Sequence, residues 1–250
     1  MLFNANKCII LGCGYVGKHF LSSHPSCFFT QRIDVKDSNK GFKFDLLNKD
    51  TWENLKDCEF VLWTFALSNP NLTIDLISDF YNLYCKNKKV IILSSTSAYQ
   101  LQDENLQVDE DFPLQNEDQR YIKEEHLRKM GALILHLSGI IGPNRYPKKW
   151  YIENRVKFGR NILNYIHVND IVYFIEKIFN NFTFCERFNL TSGDFKTHSE
   201  IANLLGIQNC FEFLDRTKGS KFIKNKKLVI YLKEENYKFL KYPEDCEVNL

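Results

Sequence analysis

The stretch IILGCGYVGKHF, residues 9–20, constrains the fold more than any other part of this chain. A short apolar, β-branched run, KCIIL (7–11), ends in glycines. It reads as a buried strand. From Val16 to Ser23 the residues read as a helix, stopped by Pro25. A strand that turns through glycines straight into a helix begins a fold in which the two kinds of element alternate.

The alternation continues to about residue 140. CFFTQR (27–32), GFKFDL (41–46), EFVLWTFA (59–66), KVIILSST (89–96) and the start of ALILHLSGIIGP (132–143) read as strands. NKDTWENLKD (48–57), TIDLISDFYNLYCKN (73–87) and QNEDQRYIKEEHLRKM (115–130) read as helices, with Gly131 placed to end the last. Several strands are apolar throughout, the mark of a parallel sheet with helices on both faces. The predicted fold is α/β: a Rossmann-type doubly wound parallel sheet with a small C-terminal α/β lobe. Residues 1–145 form the expected dinucleotide-binding domain. Residues 146–250 form a small substrate-side lobe, not sharply separated. In it, DIVYFIEKIFNN (170–181) and HSEIANLLG (198–206) read as helices and RFNLTS (187–192) as a strand.

Gly12, Gly14 and Gly17 have the G-x-G-x-x-G spacing, at the strand-to-helix turn where that pattern has a physical meaning. Gly12 permits the tight turn, Gly14 leaves the backbone open to a pyrophosphate, and Gly17 lets the helix lie close to the sheet. Tyr15 and Val16 stand between the last two glycines, where a helix N-terminus offers free N–H groups to an anion. The second strand ends in Thr30, Gln31 and Arg32. An acid at that tip binds ribose hydroxyls, and an arginine accepts a 2′-phosphate. No acid stands there and Asp34 comes late, so Gln31 and Arg32 favour NADP over NAD. A solvated loop charge is the competing reading of Arg32. The fifth strand runs into a serine-rich turn, SSTSAYQ (94–100), beyond the end of the sheet where ligands bind.

Composition excludes other classes. The chain is 44% hydrophobic and 26% charged, with a net charge of +2, which gives no reason to expect nucleic acid or a membrane as partner. No run approaches the roughly 20 apolar residues of a bilayer span, and no signal peptide is evident. The eight cysteines lack Cys-x-x-Cys spacing, so no metal site is expected. Several lie in apolar runs as reduced core thiols, and a cytoplasmic location fits. The basic run SKFIKNKK (220–227) reads as a solvated loop before the last helix.

SSTSAYQ, LILHLSGIIGPNRYP (133–147), NYIHVNDIV (164–172) and RFNLTSGD (187–194) occur in order along nearly the whole chain. They resemble the SS-x-x-VYG, LR-x-x-x-x-YGP, FIHV-D-D-V and YN-x-x-x-G motifs of the extended short-chain dehydrogenase/reductases of the NAD-dependent epimerase/dehydratase type. The chain looks closest to their divergent, short, YeeZ-like bacterial branch. The resemblance implies that Ser95, four residues before Tyr99, is the catalytic Ser/Thr that hydrogen-bonds the substrate at the reacting carbon. It implies that Asp45 contacts adenine, that Phe65 and Ala66 line the cofactor, and that Ser94 stands beside it. It also implies homodimers through the helix 115–130 and its neighbour, and a sugar or nucleotide-sugar substrate. Leu11 stands where the family has its first glycine, His136 stands near a common arginine, and the C-terminal part is short.

Family chemistry needs Tyr-x-x-x-Lys, a phenol whose pKa is lowered by an ammonium one helical turn away. Here Tyr121 is followed four residues on by Glu125, and Lys123 lies about 200° round the helix. The family positions fall on Asp118 and Ile122, so the pair is replaced. Tyr121, Tyr99 and Asp118 are the candidate substitute bases. Asp170 is expected to cap the helix that begins there, with His167 packed beside the cofactor end. Two functions remain open: an NAD(P)-dependent oxidoreductase or epimerase moving hydride on a sugar-like substrate, or a non-catalytic NADP-binding sensor or partner subunit.

Overall fold

The computed structural model describes residues 2–35, 39–100, 106–115, 117–210, 212–214 and 220–246. Its strands are β1 (Cys8–Leu11), β2 (Phe28–Gln31), β3 (Gly41–Lys43), β4 (Phe60–Trp63), β5 (Lys89–Ser95), β6 (Leu106–Val108), β7 (Leu133–Leu137), β8 (Gly139–Ile141), β9 (Tyr165–His167), β10 (Arg187–Leu190) and β11 (Lys221–Ile223). Its α-helices are α1 (Tyr15–Ser23), α2 (Ile74–Phe80), α3 (Gln119–Lys129), α4 (Lys148–Ile152), α5 (Val168–Asn180), α6 (His198–Leu204) and α7 (Lys226–Leu232).

Seven strands form one sheet in the order β10-β7-β5-β4-β1-β2-β3. β1 pairs in parallel with β2 and β4, β2 with β3, and β4 with β5. The bonds from Ile134 N to Glu186 O and from Ser138 N to Leu190 O advance equally along both strands, so β7 and β10 also run together. Every residue of β1, β4 and β7 is buried. That explains why these strands are apolar rather than alternating: helices cover both faces of a parallel sheet. The chain passes from β1 to β2 and β3, then returns to β4 on the opposite flank of β1. Strand order reverses between β1 and β4, the place where such sheets bind ligands.

The chain divides into two compact units: Met1–Ser94, Leu114–His136 and Val172–Phe188 form the first, and Ser95–Pro113, Leu137–Ile171 and Asn189–Leu250 the second. The first has its core around Phe44, Trp52, Trp63, Phe80 and Tyr81. The second packs Ile141, Tyr151, Tyr165, Ile201 and Tyr242. Local signals start the helices as the side chains require. Thr73 Oγ1 accepts from Leu76 N at the start of α2, Asp118 Oδ1 from Arg120 N at α3, and Thr197 and Glu200 form a capping box on α6. Gly131, at φ +125°, ends α3.

Several expectations need correction. The helix expected over 115–130 begins at Gln119 because Asp118 caps it, and Asn116 lies outside the described residues. The one over 48–57 is a 3-10 helix, Lys49–Asn54. The one over 73–87 widens at Tyr81–Cys85 into a π-helical turn. SKFIKNKK is not a solvated loop. It holds β11, which pairs with β6, and the start of α7. Lys221 donates to the carbonyls of Tyr99 and Thr96. Asp170 does not cap α5. The helix begins two residues earlier, and the Asp170 carboxylate accepts from Tyr237 Oη (2.8 Å) and Leu240 N (3.1 Å). His167 Nδ1 lies 3.1 Å from Asn169 N, and its ring stacks on Tyr146.

Candidate functional site

The glycine turn is braced from both neighbouring strands. Thr30 on β2 accepts from Gly12 N through Oγ1 (2.9 Å) and from Cys13 N through its carbonyl (2.9 Å). Thr64, just beyond β4, donates its hydroxyl to Gly12 O, and its N–H reaches Leu11 O at 3.0 Å. Gly12 has φ +83°, and a Cβ there would lie 2.8 Å from Phe65 Cδ1, so two independent constraints demand glycine. At Gly17 a Cβ would lie 3.1 Å from both Gly12 O and Ile10 Cγ2, the close helix-to-strand packing its position predicts. Gly14 is different. A Cβ there meets nothing within 4 Å. No contact among the described residues requires Gly14 to lack a side chain, and the space above it is open.

Gly14 is also the N-cap of α1, and no side chain caps that end. The N–H groups of Val16 and Gly17 find no acceptor among the described residues. Uncapped amides at the positive end of a helix are an anion site in waiting. Beside them a cavity of about 470 Å³ is lined by Gly12 and Thr30, by Gln31 and Arg32, by Phe44 to Leu47, and by Phe65, Ala66, Ser68, Asn69, Pro70 and Leu72. Asp45 presents its carboxylate here with Oδ1 accepting from Leu47 N (3.1 Å). Asp34, the acid nearest the tip of β2, is paired with Lys43 at 3.1 Å. Arg32 is exposed and has no ion-pair partner among the described residues.

Of the residues expected to hold the cofactor, Gly12, Gln31, Arg32, Asp45, Phe65 and Ala66 line this cavity, and Gly14, Tyr15, Val16 and Gly17 form the helix start. Ser94 does not line it. Its hydroxyl donates to Glu124 Oε2 at 2.5 Å.

The expected catalytic residues have other occupations. Ser95, in the second unit, caps a 3-10 turn and accepts from Ser97 N (3.2 Å) and Ser97 Oγ (2.9 Å). Asp118 caps α3. Tyr121 is buried, with the Arg120 guanidinium 5.3 Å from its ring centre. It lines a separate cavity with Ile74, Leu114, Ile122 and Lys129. Tyr99 is buried, and its hydroxyl donates to Asn189 Oδ1 at 2.6 Å.

Sequence reasoning missed the part that four residues play. Thr30 and Thr64 carry the only warning a sequence could give: a threonine where each strand flanking the glycine turn ends. Glu124 and Lys123 sit on a helix rich in charged residues, yet both are buried. Glu124 joins Ser94 to Arg120 Nε (2.8 Å). Burial raises its pKa, opposed by the Arg120 charge and the Ser94 hydrogen bond. The Lys123 ammonium reaches the carbonyls of Leu67 (3.3 Å) and Asn69 (3.0 Å), and burial lowers its pKa.

No family model matches this chain. No curated protein matches it in sequence. Solved structures do match. A dTDP-glucose 4,6-dehydratase from Bacillus anthracis, in complex with NAD, aligns at a TM-score of 0.71 and 17% identity over 96% of this chain and 93% of its own. MoeE5 in complex with UDP-glucose and NAD aligns at 0.73 and 15% identity, over 96% and 95% of the two chains. A UDP-N-acetylglucosamine 4-epimerase from Bacillus cereus aligns at 0.69 and 15% identity, over 92% and 94%. At such identities the likeness speaks for architecture alone: the chain has the Rossmann-type α/β fold that these three proteins share.

Proposed function

We propose that this chain binds NADP, or NAD, in the cavity beside the glycine turn. We place it with the extended short-chain dehydrogenase/reductases of the epimerase/dehydratase type. The observation that carries the reading is Gly14: a glycine with no neighbour among the described residues to require it, at the uncapped end of α1, beside a cavity lined by Gly12, Arg32, Asp45 and Phe65. Gly17 holds that helix end against the sheet, and Thr30 and Thr64 hold the turn. Arg32, without an ion-pair partner among the described residues, and Asp34, paired with Lys43, favour the 2′-phosphate of NADP. The dinucleotide supplies a hydride donor or acceptor. The proposed substrate is a sugar or nucleotide sugar, in keeping with the ligands named for the matching structures. Ser95 is proposed to orient it.

A second reading has an observation of its own. Asp118 caps α3, Tyr121 is buried within it, Lys123 donates to the carbonyls of Leu67 and Asn69, and none of the three lines the dinucleotide cavity. A dinucleotide-binding sensor or partner subunit without hydride chemistry fits that use of α3. Fluorescence titration with NADPH and NADH tests both readings together. Binding below millimolar, tighter for NADPH, is expected, and no binding of either removes both. Absorbance at 340 nm with nucleotide sugars, combined with product analysis, then separates enzyme from sensor.

A further inference from the structure

Lys123 is an unusual residue to bury. It is 3% exposed, and no carboxylate lies within ion-pair distance of its ammonium among the described residues. An ammonium withdrawn from water without a counter-ion is costly unless its N–H groups are occupied. Two of its three donors are occupied, and both go to main-chain carbonyls of one loop: Leu67 O and Asn69 O. That loop, from Phe65 to Leu72, follows β4 and supplies a wall of the dinucleotide cavity. Asn69 reinforces the turn by accepting from Leu72 N through its carbonyl (3.1 Å) and from Asn71 N through Oδ1 (2.9 Å). Lys123 therefore fixes the direction in which peptide groups of the wall point.

The peptide plane carries the consequence. Across a trans peptide the C=O and the next N–H point to opposite sides. With Leu67 O turned to the ammonium, the N–H of Ser68 is turned away from it. Ser68 lines the cavity, and its N–H has no acceptor among the described residues. We propose that Lys123 is a positioning residue for the dinucleotide: it holds the 65–70 wall so that the Ser68 N–H faces the cavity as a donor to the nucleoside half of the ligand. This inference rests on the dinucleotide reading above. It assigns α3 a part in binding through the loop it clamps, with no contact between Lys123 and the ligand.

The test compares the full-length wild type with Lys123→Met, a similar length without charge or donors. NADPH affinity is read by fluorescence, and amide exchange at residue 68 is read with and without saturating NADPH. In the wild type, NADPH slows exchange at Ser68. In Lys123→Met the dissociation constant rises about tenfold, the scale of one well-placed hydrogen bond. Protection at Ser68 is lost, while protection at Val16 and Gly17 persists. Unchanged affinity in a folded Lys123→Met protein overturns the proposal. So does a wild-type Ser68 amide whose exchange ignores NADPH, and that measurement decides the matter if the variant does not fold. Failure of the wild type to bind NADPH or NADH is seen separately, and it removes the dinucleotide reading and this inference together.

Discussion

The three glycines of one turn stand in three different surroundings, and substitution separates them. Ala at Gly12 must adopt φ +83° and place its Cβ 2.8 Å from Phe65, so Gly12→Ala is expected to destabilise the fold by about 1–3 kcal/mol. Urea unfolding measures that loss. Gly14→Ala meets no protein atom within 4 Å. Its unfolding midpoint is expected to match the wild type, while the dissociation constant for NADPH rises at least about tenfold, a cost of about 1.4 kcal/mol or more. Equal NADPH affinity in Gly14→Ala would show that no ligand approaches this backbone. The glycine spacing was legible in the sequence because all three glycines lie within one strand-to-helix turn. The braces from Thr30 and Thr64 were not, because they depend on which strands flank β1, and strand order is invisible in a linear reading.

Elements show the same division. β1, β4 and β7 announced themselves because burial on both faces makes them apolar throughout. The three residues of β11 are too few to carry a period, and the lysines of the run around them, 220–227, suggested solvent. Helix α3 carries no simple burial signal. It is buried at Tyr121, Lys123, Glu124 and Leu127, on more than one side, so no single apolar stripe marks it. Helix α5 offers a test of how one buried acid holds a distant segment. Asp170 is 1% exposed and grips Tyr237 and Leu240. Burial, with Asp245 nearby, raises its pKa to about 6 despite those two hydrogen bonds. A carboxyl whose folded pKa lies above its unfolded value stabilises the fold fully only below the unfolded value. That contribution is lost as pH rises through the folded one. Between about pH 4 and pH 6, Asp170 is thus expected to withdraw about 2–3 kcal/mol of stability as pH rises. Unfolding free energies measured across this range for wild type and Asp170→Asn should diverge by that amount, the variant lacking this slope.

For the molecule as a whole, a ligand that binds only the folded state adds stability in proportion to the logarithm of its concentration over its dissociation constant. NADPH at about 100 times its dissociation constant is expected to add about 2.7 kcal/mol and to raise the melting temperature measurably. NADH at equal concentration should do less, because it lacks the 2′-phosphate proposed to meet Arg32. A melting temperature indifferent to both would remove the dinucleotide from the account of this fold.

The division into two units also sets a schedule for synthesis. The first unit needs Val172–Phe188, so a chain of 250 residues has passed residue 188 at the ribosome before that unit has all its parts. Until then β7 lacks β10, its neighbour at the end of the sheet, and presents an unpaired edge. The second unit begins its own first segment at Ser95, so neither can finish before the other has begun. For a nascent chain that usually folds from its N-terminus unit by unit, this threading replaces sequential completion with late, joint completion.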